Sequence, residues 1–204
     1  LTIIETKDSQ AIANETFIHS HVGTNQDPIS KIDDFSKIMN DGMAKKINFA
    51  CFKLCYVDIY HDRNIDELFN HYKSTMETLM KKHPNVSFIH CTIPLTAEKR
   101  DLKTNIKDII KKIIGRETYK NKSIKDNIKR YAFNELIRKS FNQNTILDIA
   151  KFEAIDPMGN LKLSKKGESP HYTLYHKYTY DGGHLNDMGK EAVAEKVISY
   201  FYEK

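Results

Sequence analysis

The spacing of apolar positions changes several times along the chain, and each change marks an element. Leu1 to Glu5 is a short β-like run, and the polar Lys7 to Glu15 reads as a loop. Thr16 to Val22 reads as a strand ending at Gly23, followed by the turn cluster Thr24-Asn25-Gln26-Asp27-Pro28. From Ser30 onward, Ile32, Phe35, Ile38 and Met39 recur at helical spacing until Gly42. Ile47 to Tyr60 is almost continuously apolar and aromatic, as suits a parallel strand covered on both faces. Asn64 to Lys82 predicts an amphipathic helix with Ile65, Leu68, Phe69, Tyr72, Met76, Leu79 and Met80 on one side. Val86 to Ile93 is the next strand, ended by Pro94. Ile106, Ile109, Ile110, Ile113 and Ile114 again keep helical spacing. A further helix is predicted over Asp126 to Ser140, with Ile128, Tyr131, Leu136 and Ile137 inward. Thr145 to Ala150 reads as a strand, and Pro157 to Thr179 as a long loop of the kind that borders sites. Asp187 to Tyr202 closes the chain as a helix burying Met188, Ala192, Val193, Val197 and Phe201.

Strands alternating with helices argue for one α/β domain over residues 1–204, a three-layer α/β/α sandwich with a mostly parallel sheet. Ligands in such sheets sit beyond the C-terminal ends of the strands. That rule gathers Gly23 to Asp27, Tyr56 to Asp58, Pro94 to Thr96, Asp148 to Glu153 and Asp181 to His184 on one rim.

Composition narrows the class. The 204 residues are 40% hydrophobic and 29% charged, which is ordinary for a globular protein. No apolar run approaches the roughly 18 residues of a membrane span. The net charge of +5 is uneven, since residues 99–130 hold 12 Lys/Arg against 4 Asp/Glu. That stretch reads as a basic helical insertion with a solvated face, in preference to a nucleic-acid site. Cys51, Cys55 and Cys91 fall in strand-like segments without zinc-site spacing, and read as small core residues. The chain opens without a methionine, so further sequence is expected ahead of Leu1.

The chemistry concentrates in Tyr180-Asp181-Gly182-Gly183-His184-Leu185-Asn186. Asp181 and His184 stand three residues apart on a turn loosened by two glycines, so their side chains can meet. A carboxylate that fixes one imidazole tautomer makes that imidazole a general base. Asn186 or Asp187 can cap the helix that follows. His19 and His21 share one strand face, but with no third ligand no metal is expected there. Arg130, Asn134, Tyr56 and Asp58 read as packing groups, and His171 and His176 as lesser substrate-contact candidates.

Three stretches together resemble the SGNH/GDSL hydrolases, in a bacterial branch: Val22 to Pro28, Lys53 to Asp58, and Asp181 to Asn186. The resemblance implies a flavodoxin-like fold and a Ser-His-Asp triad that includes Asp181 and His184. It also implies an oxyanion donor at the Gly23 amide. The family's Gly-x-Asn-Asp block is replaced by Cys55-Tyr56-Val57-Asp58, so Asn25 or Lys53 is the expected substitute donor. No nucleophile is apparent. Ser9 follows a strand-like run but stands only 14 positions before Gly23, too few for the intervening helix and strand. Ser20 is a weaker candidate. The resemblance therefore places the serine ahead of Leu1, and the chain as written is expected to be inactive alone. The implied activity is esterase or acetylesterase chemistry on a small-molecule or carbohydrate ester, with neither metal nor organic cofactor. The alternative is a non-catalytic glycan-binding domain on the same fold. A secreted or cell-envelope location is favoured over the cytoplasm.

Overall fold

The computed structural model describes residues 2–12, 16–98, 118–165 and 170–203. Its strands are β1 (Thr2–Glu5), β2 (Thr16–His19), β3 (Phe49–Phe52), β4 (Ser87–Cys91), β5 (Ile146–Leu147), β6 (Leu163–Ser164) and β7 (His171–Tyr172). Its helices are α1 (Pro28–Asn40), α2 (Ile65–Lys82), α3 (Tyr119–Ser140), α4 (Ile149–Ala154) and α5 (Asp187–Tyr202). The fold is α/β with mostly parallel sheets. Strands β3, β4 and β5 form one parallel sheet in that order, β1 and β2 a parallel pair, and β6 and β7 a short antiparallel hairpin.

The central sheet is covered on both faces. Alternation along β3 sends Ala50 and Phe52 toward α1 and α2, where they join Ile32, Phe35, Leu68, Tyr72 and Met76. Phe49 points the other way and meets Phe201 of α5 edge-on at 6.3 Å. Ile89, Cys91, Leu147 and Ile149 line that second face under Phe152, Val197, Tyr200 and Phe201. Each large side chain so buried contributes about 1.5–3 kcal/mol.

Several sequence expectations are corrected by what the polar groups do. The apolar run from Ile47 is a strand only over Phe49–Phe52. Leu54 and Ile59 are buried as loop residues around a 3-10 turn, Tyr56–Asp58. The expected strand over 145–150 is two residues long, because Asp148 caps α4 by accepting from Lys151 N–H. The long loop 157–179 contains the β6–β7 hairpin. Met188 is 52% exposed, and of the three cysteines Cys91 is buried while Cys51 is exposed. The helix expected around Ile106 to Ile114 lies outside the described residues.

Helix α3 departs furthest from its apolar pattern. Ile128 is exposed, whereas Ser123, Asp126, Asn127, Arg130 and Asn134 are buried. These recur one or two turns apart, so they form one inward stripe. Their partner is the extended segment after β4. Asn134 accepts from Ile93 N–H at 2.7 Å and donates to Ile93 C=O at 3.0 Å. Asn127 does the same for Thr96, at 3.0 and 2.6 Å. Two side-chain amides thus stand in for a neighbouring strand, and satisfy backbone that would otherwise be buried without partners.

Two buried titratable groups set opposing pH slopes. Burial pulls His90 down to about 4 from 6.5, and pushes Glu153 up to about 7 from 4.5. For His90 the unfolded chain protonates first. Stability is therefore intact above pH 6.5 and is lost as pH falls toward 4. For Glu153 the folded chain protonates first, so a cost present above pH 7 is relieved as pH falls toward 4.5. Between about 4.5 and 6.5 the two largely offset each other. Glu153→Gln keeps an oxygen for Leu95 N–H, which Glu153 accepts at 2.9 Å. The variant should be more stable than the parent at pH 8, by at most about 3 kcal/mol. It should also lose stability more steeply than the parent between pH 6.5 and 4.5. Urea unfolding at several pH values measures both effects.

Candidate active site

The loops that follow β3, β4 and β5 share one rim of their parallel sheet, and the loop after β2 is joined to them by Gln26 N–H, which donates to Asp58. The turn 179–186 joins them there. Ala97 N–H donates to Gly182 C=O at 2.8 Å, which ties that turn to the segment after β4. Asn186 N–H donates to Tyr178 C=O, and the Asn186 side chain caps α5 by accepting from Gly189 N–H. The turn is therefore anchored at both ends.

Asp181 and His184 are in contact. Asp181 Oδ2 lies 2.5 Å from His184 Nδ1. Asp181 Oδ1 accepts from the N–H groups of Gly183 and His184, both at 2.8 Å, and from the Thr179 hydroxyl at 3.2 Å. Burial raises the Asp181 pKa. The hydrogen bonds from His184 and from the two backbone amides outweigh it, and hold the carboxyl far below its ordinary value. An ionised carboxylate on Nδ1 requires the proton there, which leaves the Nε2 lone pair available. The pair is open to solvent, with side-chain exposures of 75% for His184 and 53% for Asp181.

Beside the imidazole stands Tyr56, for which the sequence alone leads one to expect a packing role. Its hydroxyl is 3.3 Å from His184 Nε2 and 3.4 Å from Nδ1, and the two rings meet edge-on at 5.5 Å. Gly183 makes the approach possible. A Cβ on residue 183 would fall 2.6 Å from Tyr56 Cζ and 2.7 Å from its hydroxyl oxygen. Arg130 holds the other side, its Nε donating to Tyr56 C=O at 3.0 Å and to Ile59 C=O at 3.1 Å. The Arg130 guanidinium also donates to Thr96 Oγ1 and Asn127 Oδ1, both at 2.8 Å, and lies 5.7 Å from the Tyr56 ring centre.

The loop after β2 is joined to this cluster by a buried ion pair. Lys31 Nζ lies 2.8 and 3.0 Å from the two oxygens of Asp58, with side-chain exposures of 8% and 0%. Asp58 also accepts from Gln26 N–H at 2.9 Å and from Cys55 N–H at 2.7 Å. Asn25 takes part through its Oδ1, which accepts from Lys31 Nζ at 2.8 Å. Asn25 thus connects to the dyad indirectly, through Lys31, Asp58 and the turn that carries Tyr56. Gly23 is placed differently from the expectation. It has φ +49, and a Cβ there would fall 2.5 Å from Lys31 N, so the loop lies flat on the start of α1. Its N–H donates to Asp34 at 2.9 Å. A role for that amide at an oxyanion would require it to leave Asp34.

Ser9 lies at the wrong end of α1. Its Oγ is the nearest atom, at 3.1 Å, to where a Gly42 Cβ would stand. Gly42 follows the C-terminus of α1, whose first turn holds Lys31 at the site. The 13-residue helix puts about 20 Å between its two ends. His184 pairs with Asp181 and stands beside the Tyr56 hydroxyl, and no serine of the described residues hydrogen-bonds it. Among the described residues no three His, Cys, Asp or Glu side chains gather as a metal site. None of the described helices is long and apolar enough to cross a membrane.

No protein-family model matches the chain, and no curated protein matches it. Among solved structures it is similar to one from Streptococcus pneumonia, provisionally described as a platelet activating factor. The two share 16% identity with a TM-score of 0.49, over 93% of this chain and 74% of the other.

Proposed function

We propose that this chain forms the acid–base half of an SGNH-type serine ester hydrolase. The observation that carries the reading is the Asp181–His184 pair. Its Nδ1 is fixed by a carboxylate and its Nε2 is left to act, at the rim of a parallel sheet. In the reaction, a serine supplied by sequence preceding Leu1 attacks the acyl carbon. His184 Nε2 takes the serine proton and later returns it to the leaving alcohol. Asp181 keeps the imidazole in the required tautomer and stabilises the imidazolium. Water then repeats the sequence on the acyl-enzyme. The substrate class is an ester of a small molecule or carbohydrate.

A second reading, a non-catalytic glycan-binding domain, draws on the exposed aromatic beside the dyad. Tyr180 is 83% exposed, and a flat ring next to an open surface is a platform for sugar rings. A fluorophosphonate probe separates the two readings. The protein with its preceding sequence should be labelled on a serine, and His184→Ala should abolish the label. An unlabelled parent protein would refute the hydrolase reading and leave the binding domain.

A further inference from the structure

We propose that the Tyr56 hydroxyl is a catalytic group, the hydrogen-bond donor to the oxyanion that forms beside His184. The proposal rests on the ester-hydrolase reading of the dyad. When the nucleophile attacks, its oxygen bonds the acyl carbon and the carbonyl π pair moves onto the carbonyl oxygen. The nucleophile's proton goes to His184 Nε2. The Tyr56 O–H donates to the new negative oxygen without giving up its proton.

The position of the phenol carries the argument. Its oxygen is almost equidistant from both imidazole nitrogens, at 3.3 and 3.4 Å. A point equidistant from the two nitrogens cannot lie along the in-plane lone pair of Nε2, which points away from Nδ1. Tyr56 therefore leaves that direction to the nucleophile. It stays within reach of an oxygen on the acyl carbon that Nε2 serves. The same geometry argues against the phenol as nucleophile, because an attacking group must face the base along that lone pair.

The turn that carries Tyr56 is held in place before any substrate arrives. Gly183 supplies the clearance, Arg130 fixes the Tyr56 carbonyl, and Asp58 closes the turn through Cys55 N–H and Lys31. Donors fixed in advance are the ones that stabilise transition-state charge effectively, because they need no reorganisation during reaction. Of the donors suggested by sequence, the Gly23 amide is already engaged with Asp34.

Tyr56→Phe removes one oxygen and keeps the ring. In p-nitrophenyl acetate hydrolysis by the protein with its preceding sequence, kcat should fall about 10²–10³-fold while KM changes little. The pH at which His184 titrates in the kcat/KM profile should not move. Placing 3-fluorotyrosine at 56 restores a phenol donor and should restore the rate, which controls for any effect of the substitution on folding. A Tyr56→Phe rate equal to the parent's, with His184→Ala inactive, would overturn the donor role and leave the dyad reading standing. A displaced His184 titration would overturn it in favour of a positioning role. An acetyl group trapped on Tyr56 would overturn it in favour of a nucleophile. Activity retained in His184→Ala would instead overturn the hydrolase reading itself.

Discussion

Asp58→Ala is expected to destabilise the protein by about 3–5 kcal/mol, the cost of leaving a buried charge without its partner. Asp58 is fully buried, and its two oxygens receive Lys31 Nζ, Gln26 N–H and Cys55 N–H. Removing the carboxylate strands an ammonium whose side chain is 8% exposed, together with two backbone donors. The chain has no cheap response, because Lys31 sits in the first turn of α1 with Asn25 as its remaining acceptor. Asp58→Asn keeps oxygen for one of the backbone donors and should cost less. Replacing both partners, Lys31→Met with Asp58→Leu, removes the stranded charge. The double variant should recover much of the loss, since a buried pair is worth little against well-packed apolar side chains. Urea unfolding of the three variants measures this directly. The damage should extend to activity, because the same carboxylate closes the turn that carries Tyr56.

Asp181→Asn should leave the fold nearly intact and lower turnover about 10⁴-fold. The asparagine oxygen can take the place of Oδ1, which accepts from the Gly183 and His184 amides. Its NH₂ then faces His184 Nδ1 in place of Oδ2. An amide donor at Nδ1 selects the opposite tautomer, with the proton on Nε2, and the base is lost while the geometry remains. Steady-state hydrolysis alongside a thermal melt distinguishes this from unfolding. In the parent, the Asp181 carboxyl is held far below its ordinary range. It should therefore stay ionised throughout the pH range in which His184 acts.

What could be read from sequence was local. Asp181, His184 and Asn186 lie within one turn, so an i, i+3 contact and a helix cap follow from spacing alone. Helix α2 follows from its apolar periodicity, with Ile65, Leu68, Phe69, Tyr72, Met76 and Leu79 buried, though Met80 at the end of the same stripe is exposed. What could not be read was long-range and polar. Tyr56 meets His184 across 128 positions, and Lys31 meets Asp58 across 27. Periodicity places Ile137 of α3 inward correctly but also Ile128, which is exposed, and it misses the hydrophilic part of the buried face. Asn127 and Asn134 are satisfied by backbone at Thr96 and Ile93, segments that no local window contains. The strand after Ile47 is shorter than its apolar run for a related reason. Leu54 and Ile59 are apolar because they anchor the site loop in the core, not because they continue the ladder. Gly23 stands out in the sequence, but its amide partner Asp34 lies 11 positions on, inside the following helix.

The central claim is that His184, oriented by Asp181, is the general base of an ester hydrolase. The most direct measurement is the rate of p-nitrophenyl acetate hydrolysis by the full-length protein, compared with its His184→Ala variant. The account predicts turnover by the parent and a loss of several orders of magnitude in the variant, with both proteins folded. Equal rates in the two would contradict it.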